Sequence, residues 1–260
     1  MQTATSRDGT RIAYERFGSG PPLILVDGAM CSRAFGPMPK LAPLLAKHFT
    51  VFIYDRRGRG DSGDTKPYAK QRELEDLAAL IGAAGGSAFV AGLSSGAALA
   101  LEAAASGLGV AKVAAYEPPF VAARDEPQAN HQAALNELLA ADRRGDAVKY
   151  FMRRMVNVPA IFVALMQLMP GVWRKLKAVA HTLPYDAAVM GDFSVPTQRI
   201  ASIRVPALVM DGGKTDSRLR RAVDGVAAAL PTATRRTLAG QTHNVKPEVL
   251  TPALVEFFQR

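Results

Sequence analysis

Short, unbroken apolar runs alternate along this chain with longer stretches in which apolar residues return every three or four positions. Leu23-Ile24-Leu25-Val26 is one such run, and residues 49–54, 88–92, 110–116 and 206–210 repeat the pattern. A run without in–out alternation is the mark of a strand covered on both faces. Helical spacing fills the intervals at 35–47, 70–84, 97–105, 218–230 and 247–258; in 70–84, Leu74, Leu77, Ala78 and Ile81 fall on one side. The chain opens with 3–6 and 11–17 on either side of Arg7-Asp8-Gly9-Thr10, whose Asp-Gly centre predicts a hairpin. A last strand is expected over 234–238. The pattern predicts an α/β fold: a mostly parallel eight-stranded sheet, helices on both faces, joined by right-handed crossovers.

The alternation stops between 121 and 200. Helical segments near 130–141, 146–156, 159–169 and 172–180 follow one another with no convincing strand between them. This stretch is expected to be a helical cap inserted after the sixth strand, with 1–120 and 201–260 forming the core domain.

Composition changes this picture little. A chain of 260 residues can bury a core of one large domain with an insertion, and 48% hydrophobic with 21% charged residues is ordinary for a globule. The best candidate for a membrane span, residues 161–169, is too short to cross a bilayer, and the first eight residues carry no apolar signal core. One cysteine, Cys31, rules out an internal disulfide and suits a reducing compartment, so a cytoplasmic location is expected. No Cys/His cluster suggests a metal, and no cofactor is expected. Much of the excess behind the formal charge of +9 lies between Arg143 and Lys177. Arg143, Arg144, Lys149, Arg153, Arg154, Arg174, Lys175 and Lys177 are opposed there only by Asp146. At helical spacing among apolar residues these read as solvated helix faces, and no nucleic-acid-binding motif accompanies them.

The chemistry gathers around Gly92-Leu93-Ser94-Ser95-Gly96, where the strand from 88 stops at Gly92 and a small-residue helix follows. G-x-S-x-G in that setting is a nucleophile elbow, with the central serine on a sharp strand-to-helix turn. A seryl hydroxyl needs a base, and the base needs an orienting acid. His243, in the polar loop Gly240-Gln241-Thr242-His243-Asn244 after the last strand, is the expected base, because loops at the carboxyl ends of parallel strands meet at one sheet edge.

These features resemble the α/β-hydrolase fold family over the whole chain except the cap. The resemblance rests on the elbow, on Asp55-Arg56-Arg57-Gly58-Arg59-Gly60-Asp61-Ser62, on Gly213-Lys214-Thr215-Asp216 and on the His243 loop. It implies Ser94 as nucleophile, His243 as general base and then acid, and Asp216 as the orienting carboxylate. Glu117, at the end of the sixth strand, is the alternative acid, and Asp211, at the end of the seventh, a third candidate. The backbone N–H groups of Ala29 and Ser95 are expected to form the oxyanion hole. The sequence departs from the family at Asp27-Gly28, where His-Gly is usual. A carboxylate aimed at an oxyanion would oppose the reaction, so Asp27 is expected to turn away into its own loop, or else to recognise a basic substrate group. The arginine loop lacks P-loop spacing and is read as a structural tie between strand and helix.

Asp27, Met30, Cys31, Met166 and Trp173 are the candidate substrate-contacting residues, Cys31 being most simply an apolar filler. The expected function is hydrolysis of an ester, lactone or thioester bond in a small, partly apolar molecule through an acyl-enzyme on Ser94, by a monomer or homodimer that inserts into no membrane. Alternatives with the same residues are C–C bond hydrolysis, lyase chemistry or acyl transfer, or a non-catalytic small-molecule receptor. A serine at the elbow argues against the members of the fold that attack with a carboxylate.

Overall fold

The hairpin at the start of the chain forms as its Asp-Gly centre predicts: β1 (Gln2–Thr5) pairs antiparallel with β2 (Arg11–Phe17), Gln2 facing Tyr14. In the computed structural model, which describes residues 1–121 and 130–260, strands and helices then alternate. They are β3 (Pro22–Val26), α1 (Met38–Leu45), β4 (Thr50–Tyr54), α2 (Lys70–Ala83), β5 (Ala88–Leu93), α3 (Ser95–Ala105) and β6 (Val110–Tyr116). After the helical insertion come β7 (Ala207–Gly212), α10 (Ser217–Ala229), β8 (Ala233–Leu238) and α11 (Pro247–Gln259). The eight strands form one sheet in the order β1-β2-β4-β3-β5-β6-β7-β8, parallel from β4 to β8.

The unbroken apolar runs are explained by what lies on each face. Side chains alternate across a strand, and in β3 Ile24 and Val26 pack in one core with Leu74, Leu77, Ala98 and Val223 from α2, α3 and α10. Leu23 and Leu25 pack in the opposite core with Leu41, Leu45, Leu250 and Phe258 from α1 and α11. Both sets of positions are therefore apolar. The first crossing of the sheet, from β3 out to β4 and back to β5, places β5 beside β3 and leaves their carboxyl ends adjacent.

Between β6 and β7 the described residues contain only helices: α4 (His131–Ala140), α5 (Arg144–Tyr150), α6 (Ala160–Gln167), α7 (Pro170–Ala178), α8 (Leu183–Met190) and α9 (Thr197–Ile200). α5 continues into a π-helical turn at Phe151–Met155. Leu135, Val148, Phe151, Val163, Leu176 and Leu183 form a third, smaller core. The expected cap is not sealed off at residue 200, however. Val189, Met190, Phe193 and Ile200 belong to the main core, so the last part of the insertion packs with α2, α3 and α10. The first residues of the expected cap, 122–129, lie outside the described residues. Among the described residues no helix is long and apolar enough to cross a membrane.

α8 was not expected from the pattern. Its sequence, Leu-Pro-Tyr-Asp-Ala-Ala-Val-Met, is buried almost all round, so it has no polar face to set a helical period. The available signal was Pro184 in the first turn, where its missing N–H costs nothing.

Candidate active site

β5 ends at Leu93, α3 begins at Ser95, and Ser94 makes the whole turn between them with φ 55° and ψ −127°. A positive φ in a residue with a Cβ is strained and persists only where the surroundings enforce it. Here the Ser94 N–H donates to Tyr116 O at 2.9 Å, tying the turn to β6. Two neighbours have no room for a side chain: a Cβ on Gly92 would lie 2.2 Å from Gly96 O, and one on Gly96 would lie 2.3 Å from Val26 O. The elbow reading of the motif thus has a steric basis.

His243 lies in the loop between β8 and α11, held by Tyr116, whose hydroxyl donates to Thr242 O at 2.6 Å. Its Nδ1 is 2.7 Å from Glu117 Oε2. Glu117 is 0% exposed, and its other oxygen accepts the Gly212 N–H at 2.8 Å and the Thr215 hydroxyl. The carboxylate that meets His243 is therefore Glu117, and the structure corrects the preference for Asp216. Asp216 caps α10 instead, its Oδ1 accepting from Arg218 N at 2.9 Å and Leu219 N at 3.1 Å, and it stands exposed at the rim of the cavity. Asp211 is turned to Arg235 and Thr237, at 2.8 and 2.7 Å.

On the other side of Ser94 runs the loop after β3. Ala29 and Ser95 both line the cavity that contains Ser94 and His243. The Ser95 hydroxyl donates to Asp186 Oδ1 at 2.8 Å, leaving the residue's N–H at the free first turn of α3. Asp27 is buried and accepts its neighbour's N–H, Gly28 N to Oδ1 at 2.9 Å, within its own loop. Its Oδ2 has no hydrogen-bond partner among the described residues. Burial pushes the Asp27 carboxyl up to about 7, against the smaller opposing pull of the Gly28 N–H and of Arg59. Burial and the nearby Asp27 push the Cys31 thiol well above its ordinary value, so it carries no thiolate at neutral pH.

The arginine loop is a buried ion-pair network. Arg56 lies fork to fork on Glu73, at 2.6 and 2.8 Å, and Arg57 does the same on Asp76, at 2.8 and 2.7 Å. Arg56 and Arg59 also reach Asp186 on α8, at 2.7 and 2.6 Å. Burial alone would raise the Asp186 carboxyl, but Arg59, Arg56 and the Ser95 hydroxyl hold it below the ordinary carboxylate range.

Above Ser94 and His243 opens a cavity of about 680 Å³ between the sheet edge and the helical insertion. Its walls are mainly apolar, among them Phe151, Met152, Phe162, Met166, Leu176 and Phe193. A recess of about 220 Å³ adjoins it, lined by Asp27, Met30, Cys31 and Leu93 and sharing Ser94 and His243. Met166, Asp27, Met30 and Cys31 thus lie where substrate contact was expected. Trp173 does not. Val172 and Leu176, one helical turn apart on α7, face the cavity, and Trp173 points outward to a basin with Gly145, Arg144 and Lys177. Nothing in the sequence pattern singles out Asp186 beyond its being the first acid after Asp146 and standing within an apolar run. Among the described residues no group of three or more His, Cys, Asp and Glu could hold a metal ion.

The profile of the alpha/beta hydrolase family matches residues 18–252. The crystal structure of an alpha/beta hydrolase from Sphaerobacter thermophilus is 56% identical and covers 99% of this chain and 100% of its own, with a TM-score of 0.92. More distant structures share the fold. The enol-lactonase from Burkholderia xenovorans is 21% identical over the full length of both chains, with a TM-score of 0.73. A thermophilic esterase from Thermogutta terrifontis is 19% identical over 99% of this chain and 97% of its own, with a TM-score of 0.68. With the elbow, the sheet order and a relative alike from end to end, the chain belongs to the alpha/beta hydrolase family.

Proposed function

We propose that this protein is a serine hydrolase that cleaves a carboxylic ester, lactone or thioester in a small molecule with a bulky apolar group. The observation that carries the reading is the His243–Glu117 pair, 2.7 Å apart and with the acid fully buried, at the cavity that Ser94 also lines. Glu117 fixes the proton on Nδ1, so Nε2 is left with a lone pair for the seryl proton.

Ser94 Oγ attacks the substrate carbonyl as its proton passes to His243 Nε2, and Glu117 stabilises the imidazolium. The carbonyl oxygen takes up the negative charge against the N–H groups of Ala29 and Ser95, the second backed by the positive end of the α3 dipole. Collapse expels the alcohol or thiol, which takes the proton from His243. Water then repeats the sequence on the acyl-enzyme and releases the acid and free Ser94. The cavity of about 680 Å³ suits the bulky apolar side of the substrate, and the recess of about 220 Å³ the smaller side. The enol-lactonase and esterase among the similar folds are in keeping with this bond class.

Ser94→Ala should lower turnover of a p-nitrophenyl ester by on the order of 10⁴-fold or more while leaving the melting temperature near that of the parent. A fluorophosphonate should add to the wild type, detected as a mass increase on the elbow peptide, and not to the variant. Ester turnover that survives Ser94→Ala unchanged overturns the assignment.

A further inference from the structure

The two loops that flank Ser94 are held from behind by one buried cluster. Arg59, 1% exposed, is clamped at three points: Nη2 on Asp186 Oδ2 at 2.6 Å, Nε on Thr182 Oγ1 at 3.1 Å, and Nη1 on Gly28 O at 2.7 Å. The last contact matters most. Gly28 O belongs to the same peptide unit as the Ala29 N–H, and the Gly28–Ala29 bond is not among the cis peptides of the described residues. In a trans peptide the C=O and N–H point in opposite directions. With its oxygen on the buried guanidinium, the unit turns the Ala29 N–H away from Arg59. Ala29 lines the cavity with Ser94, whereas Arg59 does not. The second loop is anchored to the same group: Asp186 Oδ1 accepts from Ser95 Oγ at 2.8 Å and from Arg56 at 2.7 Å.

We propose that Arg59 is the positioning residue of the oxyanion hole: its bond to Gly28 O orients and polarises the Gly28–Ala29 peptide so that the Ala29 N–H meets the developing oxyanion, while Asp186 holds Arg59 and Ser95 in register. This rests on the reading of Ser94 as the nucleophile of an acyl-enzyme. A charge-assisted bond to a carbonyl oxygen draws electron density through the amide and makes the opposite N–H a stronger donor. A rigid donor aimed before the reaction needs no reorganisation as charge develops, and that favours the transition state over the ground state. Asp27, in the same loop, cannot supply this help. It points its Oδ1 at Gly28 N and carries a negative charge when ionised.

The test separates transition-state from ground-state binding. Arg59→Lys keeps the charge and loses the fork, and Thr182→Val removes the Nε anchor together with the hydroxyl's own bond to Val179 O at 2.8 Å, leaving the Gly28 and Asp186 contacts of Arg59 in place. Each is compared with wild type for kcat and KM on a p-nitrophenyl ester, for affinity to an alkylboronic acid that forms a tetrahedral Ser94 adduct, and for affinity to the carboxylate product. In Arg59→Lys, kcat should fall about 10²-fold with KM within two-fold, and boronate affinity should fall in parallel with kcat while product affinity holds. Thr182→Val should show the same split with a several-fold effect, and it decides the matter if Arg59→Lys fails to fold. Folded variants with unchanged kcat, or with boronate and product affinities lost in equal proportion, overturn the proposal. If the wild type itself neither turns over esters nor reacts with a fluorophosphonate, the underlying reading of Ser94 fails, and this inference with it.

Discussion

Glu117→Gln keeps an acceptor for the Gly212 N–H and removes the charge that faces His243 Nδ1. Its kcat should fall by roughly 10³- to 10⁴-fold, since the imidazolium and the tautomer both lose support. Asp216→Ala should instead lower stability by about 1 kcal/mol, as expected for a lost N-cap, and leave kcat within a few-fold; denaturant melts and steady-state rates distinguish the two. The sequence contained half of this result. Asp216 directly precedes Ser217-Arg218-Leu219 at the start of a helical period, which is the signature of a cap. The burial of Glu117 was not legible, because its partners Gly212, Thr215 and His243 lie 95 to 126 residues away and arrive only through sheet pairing. Asp27 offers a second test at this scale. Its carboxyl ionises near 3.8 when exposed and near 7 in the fold. Between these values the native chain keeps a proton that the unfolded chain has released, so stability falls as pH rises through this window. The full deficit, on the order of 4 kcal/mol, is present above pH 7. Asp27→Asn, permanently neutral, should therefore gain stability over wild type at pH 8 and not at pH 4. A pH-independent difference in urea melts would remove the argument.

The elements that the pattern placed well are the short apolar runs of buried strands and the helices with one buried and one solvated side. β3 sends alternate residues to two apolar cores and shows as a short unbroken run, whereas α10 has one buried side and shows as a helical period. α8 is buried all round and leaves none. Trp173 illustrates the limit of composition as a guide: a large aromatic in the insertion looked like part of the roof, but the face of α7 that meets the cavity is set by Val172 and Leu176. α6 shapes the roof with Phe162 and Met166, while Ile161, Leu165 and Leu168 on its other sides are exposed. Met166→Ala should lower kcat/KM by roughly ten-fold for an ester whose apolar side fills the larger cavity and leave an acetate-sized ester within two-fold. Equal changes for both substrates would mean that α6 does not touch the substrate.

For the molecule as a whole, the most basic segment lies within the insertion, where eight cations between Arg143 and Lys177 are opposed only by Asp146. The arginines of the core are different: Arg56, Arg57 and Arg59 are buried and neutralised by acids. Arg143, Arg144, Lys149, Arg174 and Lys177 gather round a basin on the outer side of α7, and Arg218 lines the cavity itself. An anionic ester should lose kcat/KM several-fold as ionic strength rises from about 0.02 M to about 0.5 M, and a neutral ester of the same size should not. Rates measured with such a matched pair test the field without any mutation.

Asp186 also decides how freely this architecture can be recombined. It sits on α8, in the inserted helices, yet it is the counter-charge of Arg56 and Arg59 beneath the sheet edge. A chimera that exchanges the roof for that of another hydrolase would leave two guanidinium groups entombed with a single acid, Glu73, between them, a vacancy costing several kcal/mol. Transplants must therefore bring a carboxylate to that one position, and shuffled libraries built from this chain should survive selection only where the donor segment carries it.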